Sequence, residues 1–245
     1  MTVPEQPRLG ATSTDIVASL AKGTTGMVPV IGPLVAEIVG NIIPNQRVER
    51  IVRFVQLLNE RLSNLEQEVL NSKLKQPPVV DFLEDAFIQA ARATSGERLE
   101  HIANVVANGI SDGELNEAET KRMLWLLRQL NDSEIVVLRS RLATTREDYE
   151  ADAEFQNTHA ELLAPDATHM GSSEEEFEEA ALKKSYRAHL HDLGLTRPRF
   201  KKPRRGELPE FDDKTGMMKS SGSDVTRLGK MLLRYLNLTP EWCGH

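Results

Sequence analysis

GMVPVIGPLVAEIVGNIIP, residues 26–44, is apolar almost throughout, carries a single charge at Glu37, and is punctuated by glycine and proline. Arg47, Arg50 and Arg53 follow directly. Proline in a first helical turn forfeits no hydrogen bond. Pro29 and Pro33 therefore permit a helix from Pro33 to Ile43 that is apolar on nearly every face. Such a helix is either central in a bundle or turned toward lipid. The run is shorter than the roughly 20 apolar residues a spanning helix needs, so it does not read as a constitutive transmembrane helix. Two readings stand. In one, the segment is buried core with Glu37 paired to a neighbour. In the other, it enters a bilayer through Val30, Ile31, Leu34, Val35, Ile38, Val39, Ile42 and Ile43, with the arginines meeting anionic head groups.

Outward from this segment the chain is helical. Val48, Ile51, Val55, Leu58, Leu62, Leu65 and Val69 keep a 3-4 alternation that predicts one continuous stripe on a helix from Gln46 to Lys75. The stripe suits an intramolecular bundle; a homo-oligomeric coiled-coil seam over Val48–Val69 is the other use of that spacing. Gln76-Pro77-Pro78 ends the helix, and amphipathic segments follow at Val79–Thr94, Glu97–Ile110, Asn116–Leu130 and Glu134–Leu142. Asn104 and Asn108, four apart, are expected on an exposed helix edge. Short connections predict antiparallel neighbours, and no alternating strand pattern precedes residue 190.

Between Ala143 and Ser173 the periodicity fades into polar, acidic sequence, which reads as a linker or long loop. Glu174–Leu193 is helical again, with an acidic start that suits a helix N-terminus. The expected organisation is a disordered leader over 1–13, a helical bundle over 14–142, the linker over 143–173, a second domain over 174–238 and a tail over 239–245.

Composition sets outer limits. The net charge of −7 gives no global reason to bind nucleic acid, so any such binding depends on a local basic patch. One cysteine, Cys243, excludes an internal disulfide and fits a reducing compartment. MTVPEQPRLG has no basic stretch leading into an apolar one, so no signal peptide is expected and the predicted location is cytoplasmic, peripheral to the inner membrane face if the apolar segment acts there.

The tail carries the clearest motif. AHLHDLGLTRPRF, then a polar basic loop, then SDVTRLGKMLLRYL resembles the end of a winged helix-turn-helix domain. Leu190, Leu193, Gly194 and Leu195 match the close of that family's helix, and Thr226, Leu228, Gly229, Leu232 and Leu233 match the opening of its final one. Gly194 also fits a left-handed position just past a helix end on physical grounds. The resemblance covers about 60 residues and implies a small C-terminal winged-helix (α+β) domain; with the N-terminal helical bundle that the periodicity predicts before it, the expected fold is mainly α. It further implies a recognition helix over Ala180–Leu193, with Lys183, Lys184, Arg187 and His189 toward a groove, and a wing bearing Arg197, Arg199, Lys201, Lys202, Arg204 and Arg205. Winged helices also dock proteins, so nucleic acid and a protein partner both remain open. The acidic front of the same helix departs from a DNA-facing surface.

Enzyme signatures are thin. The six histidines lack a second ligand at metal-binding spacing, and there is no phosphate-cradling glycine loop and no nucleophile elbow. The expectation is a protein without catalytic residues, cofactor or metal: a non-enzymatic regulator or adaptor acting through its winged helix. The alternative is a soluble bacterial effector that perturbs membranes through residues 26–44, a segment similar in composition to the glycine-containing apolar helices of bacterial and fungal cell-death effectors.

Overall fold

The computed structural model describes residues 47–111, 117–142, 149–165, 168–169, 171–200, 203, 208–212, 216 and 218–239. The apolar segment 26–44, with all eight of its candidate membrane residues, lies outside them, as do Lys201, Lys202, Arg204, Arg205 and Cys243. The described chain is mainly helical with one small antiparallel sheet near its C-terminal end. Among the described residues no helix is long and apolar enough to cross a membrane.

The described residues form two compact units. One contains those up to Arg128 together with Tyr235–Asn237, and the other those from Gln129 to Arg234 together with the residues from Leu238 on. The first unit holds α1 (Val48–Leu62), α2 (Gln67–Leu74), α3 (Pro77–Arg92), α4 (Gly96–Ser111) and α5, Glu117–Gln129 but for its last residue. Helices α1, α3 and α4 pack on one another, and α2 packs on α3. Ile51, Val55, Leu58 and Leu62 of the expected stripe are all buried. Phe54 meets Phe87 edge to face, ring centres 5.3 Å apart. Each such side chain, fully withdrawn from water, contributes about 1.5–3 kcal/mol. Between Ile51 and Leu62 the stripe is covered within this chain.

The stripe does not continue to Val69. The expected single helix over Gln46–Lys75 breaks after Leu62, where Leu65 N–H donates to the Leu62 carbonyl and the Ser63 hydroxyl turns back to the Glu60 carbonyl at 2.8 Å. Serine and asparagine compete with the helix for backbone groups, and Ser63-Asn64 falls at the break. Helix α2 then buries Leu70 and Leu74 and leaves Val69 43 % exposed. The 3-4 spacing carried on through the turn without a shared helix beneath it.

Carbonyls near helix C-termini in this unit are met by side chains from elsewhere in it. Arg50 donates to Ala91 O (3.3 Å), Lys73 to Ile110 O (2.7 Å) and Arg98 to Leu127 O. Asn104 donates to Leu236 O at 2.9 Å and Asn108 to Tyr235 O at 3.0 Å. The last four carbonyls of a helix have no partner within it and carry partial negative charge, so these donors meet groups that need them. Asn104 and Asn108, expected on an exposed edge, are therefore structural. Asn104 is buried and accepts from Arg61 through its other amide atom.

The second unit holds α6 (Asp132–Arg139), α7 (Tyr149–Thr158), α8 (Ala160–Leu163), α9 (Glu174–Asp192), β1 (Thr196–Phe200), β2 (Ser220–Val225) and all but the last residue of α10, Arg227–Tyr235. Two expectations change here. Helix α6, assigned to the bundle from its sequence position, groups with this unit, packing on α8 and α9. The presumed linker over 143–173 contains α7 and α8. Phe155 anchors them: it is buried, the Arg139 guanidinium lies 3.9 Å from its ring centre, and the His159 ring lies against it at 4.6 Å. With Phe155 its one buried side chain among the described residues, α7 leaves no periodicity to read.

Candidate nucleic-acid interface

The two halves of the tail motif meet. Helix α9 ends with Leu193 N–H bonded to His189 O and Leu195 N–H to Leu190 O, and Gly194 takes φ +72°. That is the left-handed C′ position the sequence predicted for Gly194. The chain enters β1, returns through β2, and starts α10 at Thr226. Thr226 Oγ1 accepts from Gly229 N–H at 3.1 Å and donates to Gly194 O at 2.7 Å, while Thr226 N–H donates to Leu195 O at 2.9 Å. A side chain on Gly229 would place its Cβ 2.4 Å from Leu195 O. Threonine caps, and glycine lets the Leu195 carbonyl approach. Leu190, Leu195, Leu232 and Leu233 fill the space beneath.

Helix α9 is tied down by polar contacts rather than by apolar burial. Ser173 and Glu176 form a reciprocal capping box at its start. His189 Nδ1 lies 2.7 Å from Glu134 Oε1, while Glu134 Oε2 accepts from Asn131 N–H at 2.8 Å. Glu134 is buried at the front of α6, so this contact fixes α9 against α6. Leu190 is its one buried side chain.

This placement sorts the expected recognition residues. Lys183 is turned inward: its Nζ donates to Glu161 O at 2.6 Å and pairs with Glu179 at 2.7 Å, and its side chain is 11 % exposed. His189 is engaged by Glu134. Arg187 is half-buried, one turn from Lys183 and from Leu190 on the inner face. Lys184 alone of the four is exposed. Glu174, Glu175, Glu176, Glu178 and Glu179 are all exposed along the front of the helix. A groove lined by phosphates would meet carboxylates there, so the helix does not present the basic face expected of it.

The sheet does. Arg197 and Arg199 are exposed on β1. Arg199 pairs with Asp224 at 3.4 Å, and its guanidinium crosses the opposite strand at Gly222, where a Cβ would sit 2.9 Å from it. Arg141, in the turn after α6, joins this side. Its guanidinium is held below its ordinary pKa by partial burial, and further by repulsion from Arg187 and Arg199. A cluster of cations favours anions beside it, and Asp224 already supplies one to Arg199. Nothing in the sequence spacing links Arg141, Arg187 and Arg199; the packing of α9 on α6 and β1 does.

Two clefts in this unit lie along α9. The larger, about 390 Å³, is lined by Leu162, Leu182 and Tyr186 among polar neighbours. The smaller, about 130 Å³, lies beside Glu176 and Glu179. Among the described residues no group of histidine, cysteine or carboxylate side chains is arranged to hold a metal. No protein-family model, curated protein or solved structure matches the chain.

Proposed function

We propose that this protein is a non-enzymatic regulator or adaptor whose C-terminal unit acts as a winged helix and binds nucleic acid through its wing. The observation that carries the reading is the contrast between exposed Arg197 and Arg199 on β1 and the five exposed glutamates on the front of α9. Cations on the ribbon, joined by Arg141, attract a phosphate backbone; the helix front repels one. The sequence adds Lys201, Lys202, Arg204 and Arg205 directly after β1. A patch of this kind binds with a strong salt dependence, because each phosphate contact releases condensed counterions.

The test is a titration of the full chain with a fluorescent oligonucleotide at several salt concentrations. Replacing Lys201, Lys202, Arg204 and Arg205 by glutamate weakens binding and flattens its salt dependence on this reading. Unchanged affinity and slope would remove it. Protein docking is the second reading, favoured by Leu182, 56 % exposed beside the cleft it shares with Leu162 and Tyr186.

A further inference from the structure

Helix α5 buries Thr120, Met123, Leu124, Leu126 and Leu127 on its inner side. Residues three and four apart stand together on a helix, and Ala118, Arg122, Trp125 and Arg128, which follow that spacing, are all exposed on the outer side. Trp125 is 43 % exposed, with the Arg122 guanidinium 4.3 Å from its ring centre. Lys121, at the edge of this face, is already met by Glu117 at 2.6 Å and Asp81 at 3.4 Å. Among the described residues neither Arg122 nor Arg128 has a carboxylate partner. The outer face of α5 is therefore a tryptophan between two arginines, the residue types in which binding energy concentrates at protein interfaces.

Helix α9 carries the complement. Glu174, Phe177, Glu178 and Ala181 are exposed on its first turns, and Phe177 is 45 % exposed. Glu176 is taken by the capping box and Glu179 by Lys183. Among the described residues Glu174 and Glu178 have no cationic partner. One helix thus shows an aromatic ring amid guanidinium groups, and the other an aromatic ring amid carboxylates. A chain of net charge −7 repels its own copies, so a second copy approaches only where patches of opposite sign meet.

We infer that the outer face of α5 docks the acidic front of α9 from a second copy of this chain, with Arg122 and Arg128 against Glu174 and Glu178 and with Trp125 and Phe177 withdrawn from water between them. The occupant follows from charge. The α5 face needs exposed carboxylates around an apolar centre, and α9 supplies both. A contact between unlike surfaces propagates until it closes into a ring or runs on as a filament. It gives the front of α9, which repels phosphate, a partner of its own, and it does not depend on the wing binding nucleic acid.

The experiment is sedimentation equilibrium of the full chain from about 1 μM to about 1 mM, the range of micromolar and weaker contacts. The wild type gains mass with concentration and loses that gain in high salt, which screens exposed charges. The Arg122→Glu/Arg128→Glu chain and the Glu174→Lys/Glu178→Lys chain each stay monomeric. Mixed in equal amounts they associate, since each then supplies the charge that the other lacks, and that recovery also shows both to be folded. Trp125→Ala weakens association roughly 30-fold or more, as truncation of a central anchor does. A wild type that stays monomeric overturns the contact, and so does either reversal chain associating as the wild type does. A mixture that stays monomeric overturns it too. A monomeric wild type whose Arg122→Glu/Arg128→Glu variant binds oligonucleotide more weakly overturns it in favour of a nucleic-acid face on α5.

Discussion

Helices α4 and α9 are of similar length and built on opposite terms. Of the 16 residues of α4, ten are buried, including His101 and Asn104; of the 19 in α9, only Leu190 is. Helix α4 is held by its packing. Helix α9 is held by a capping box at one end, a left-handed glycine at the other, and single polar ties from Lys183 and His189 between them. A helix held at its ends and along one line leaves most of its surface uncommitted. The difference separates a helix whose surface is taken up by packing from one whose surface is left to solvent.

The sharpest way to break the comparison is to truncate each helix in turn. Ile102→Ala on α4 removes a fully buried side chain and costs about 2–5 kcal/mol in denaturant unfolding. Leu182→Ala on α9 falls within about 0.5 kcal/mol of the wild type. Equal costs would erase the distinction. Gly229→Ala comes next, because the added methyl meets a backbone carbonyl rather than a flexible side chain; about 1–3 kcal/mol is expected. Gly194→Ala meets nothing within 4 Å and incurs only the strain of its positive φ, about 1 kcal/mol. A thermal-unfolding ranking with Gly194 above Gly229 would contradict the close approach of Leu195 O.

Asn104→Ala strands the Leu236 carbonyl and the Arg61 donor in the first unit, with a loss of about 1–3 kcal/mol expected in urea titration. At the α9 cap, Ser173→Ala lowers stability by about 0.5–2 kcal/mol. It also speeds amide exchange in the first turn of α9 while leaving α4 untouched. Faster exchange in both helices would mean that α9 is supported by packing after all.

The sequence pattern placed α3, α4 and α5 to within two residues at each end, because Leu83, Phe87, Ile102 and Leu127 recur at a helical period and are all buried. It missed the turn at Ser63–Leu65, since a 3-4 spacing survives a turn of suitable length. It missed α7, where Phe155 is the one buried side chain among the described residues. The junction of the tail was legible in Gly194, Thr226 and Gly229, residues whose types answer a left-handed turn, a cap and a close contact. The arginines converge through tertiary packing, which no local spacing encodes.

The most direct measurement is amide hydrogen exchange of the full chain with and without a saturating thymidine strand. The account predicts added protection over Thr196–Phe200 and Ser220–Val225, with none over Glu174–Ala181. Protection along the acidic front of α9, with the ribbon unchanged, would contradict it.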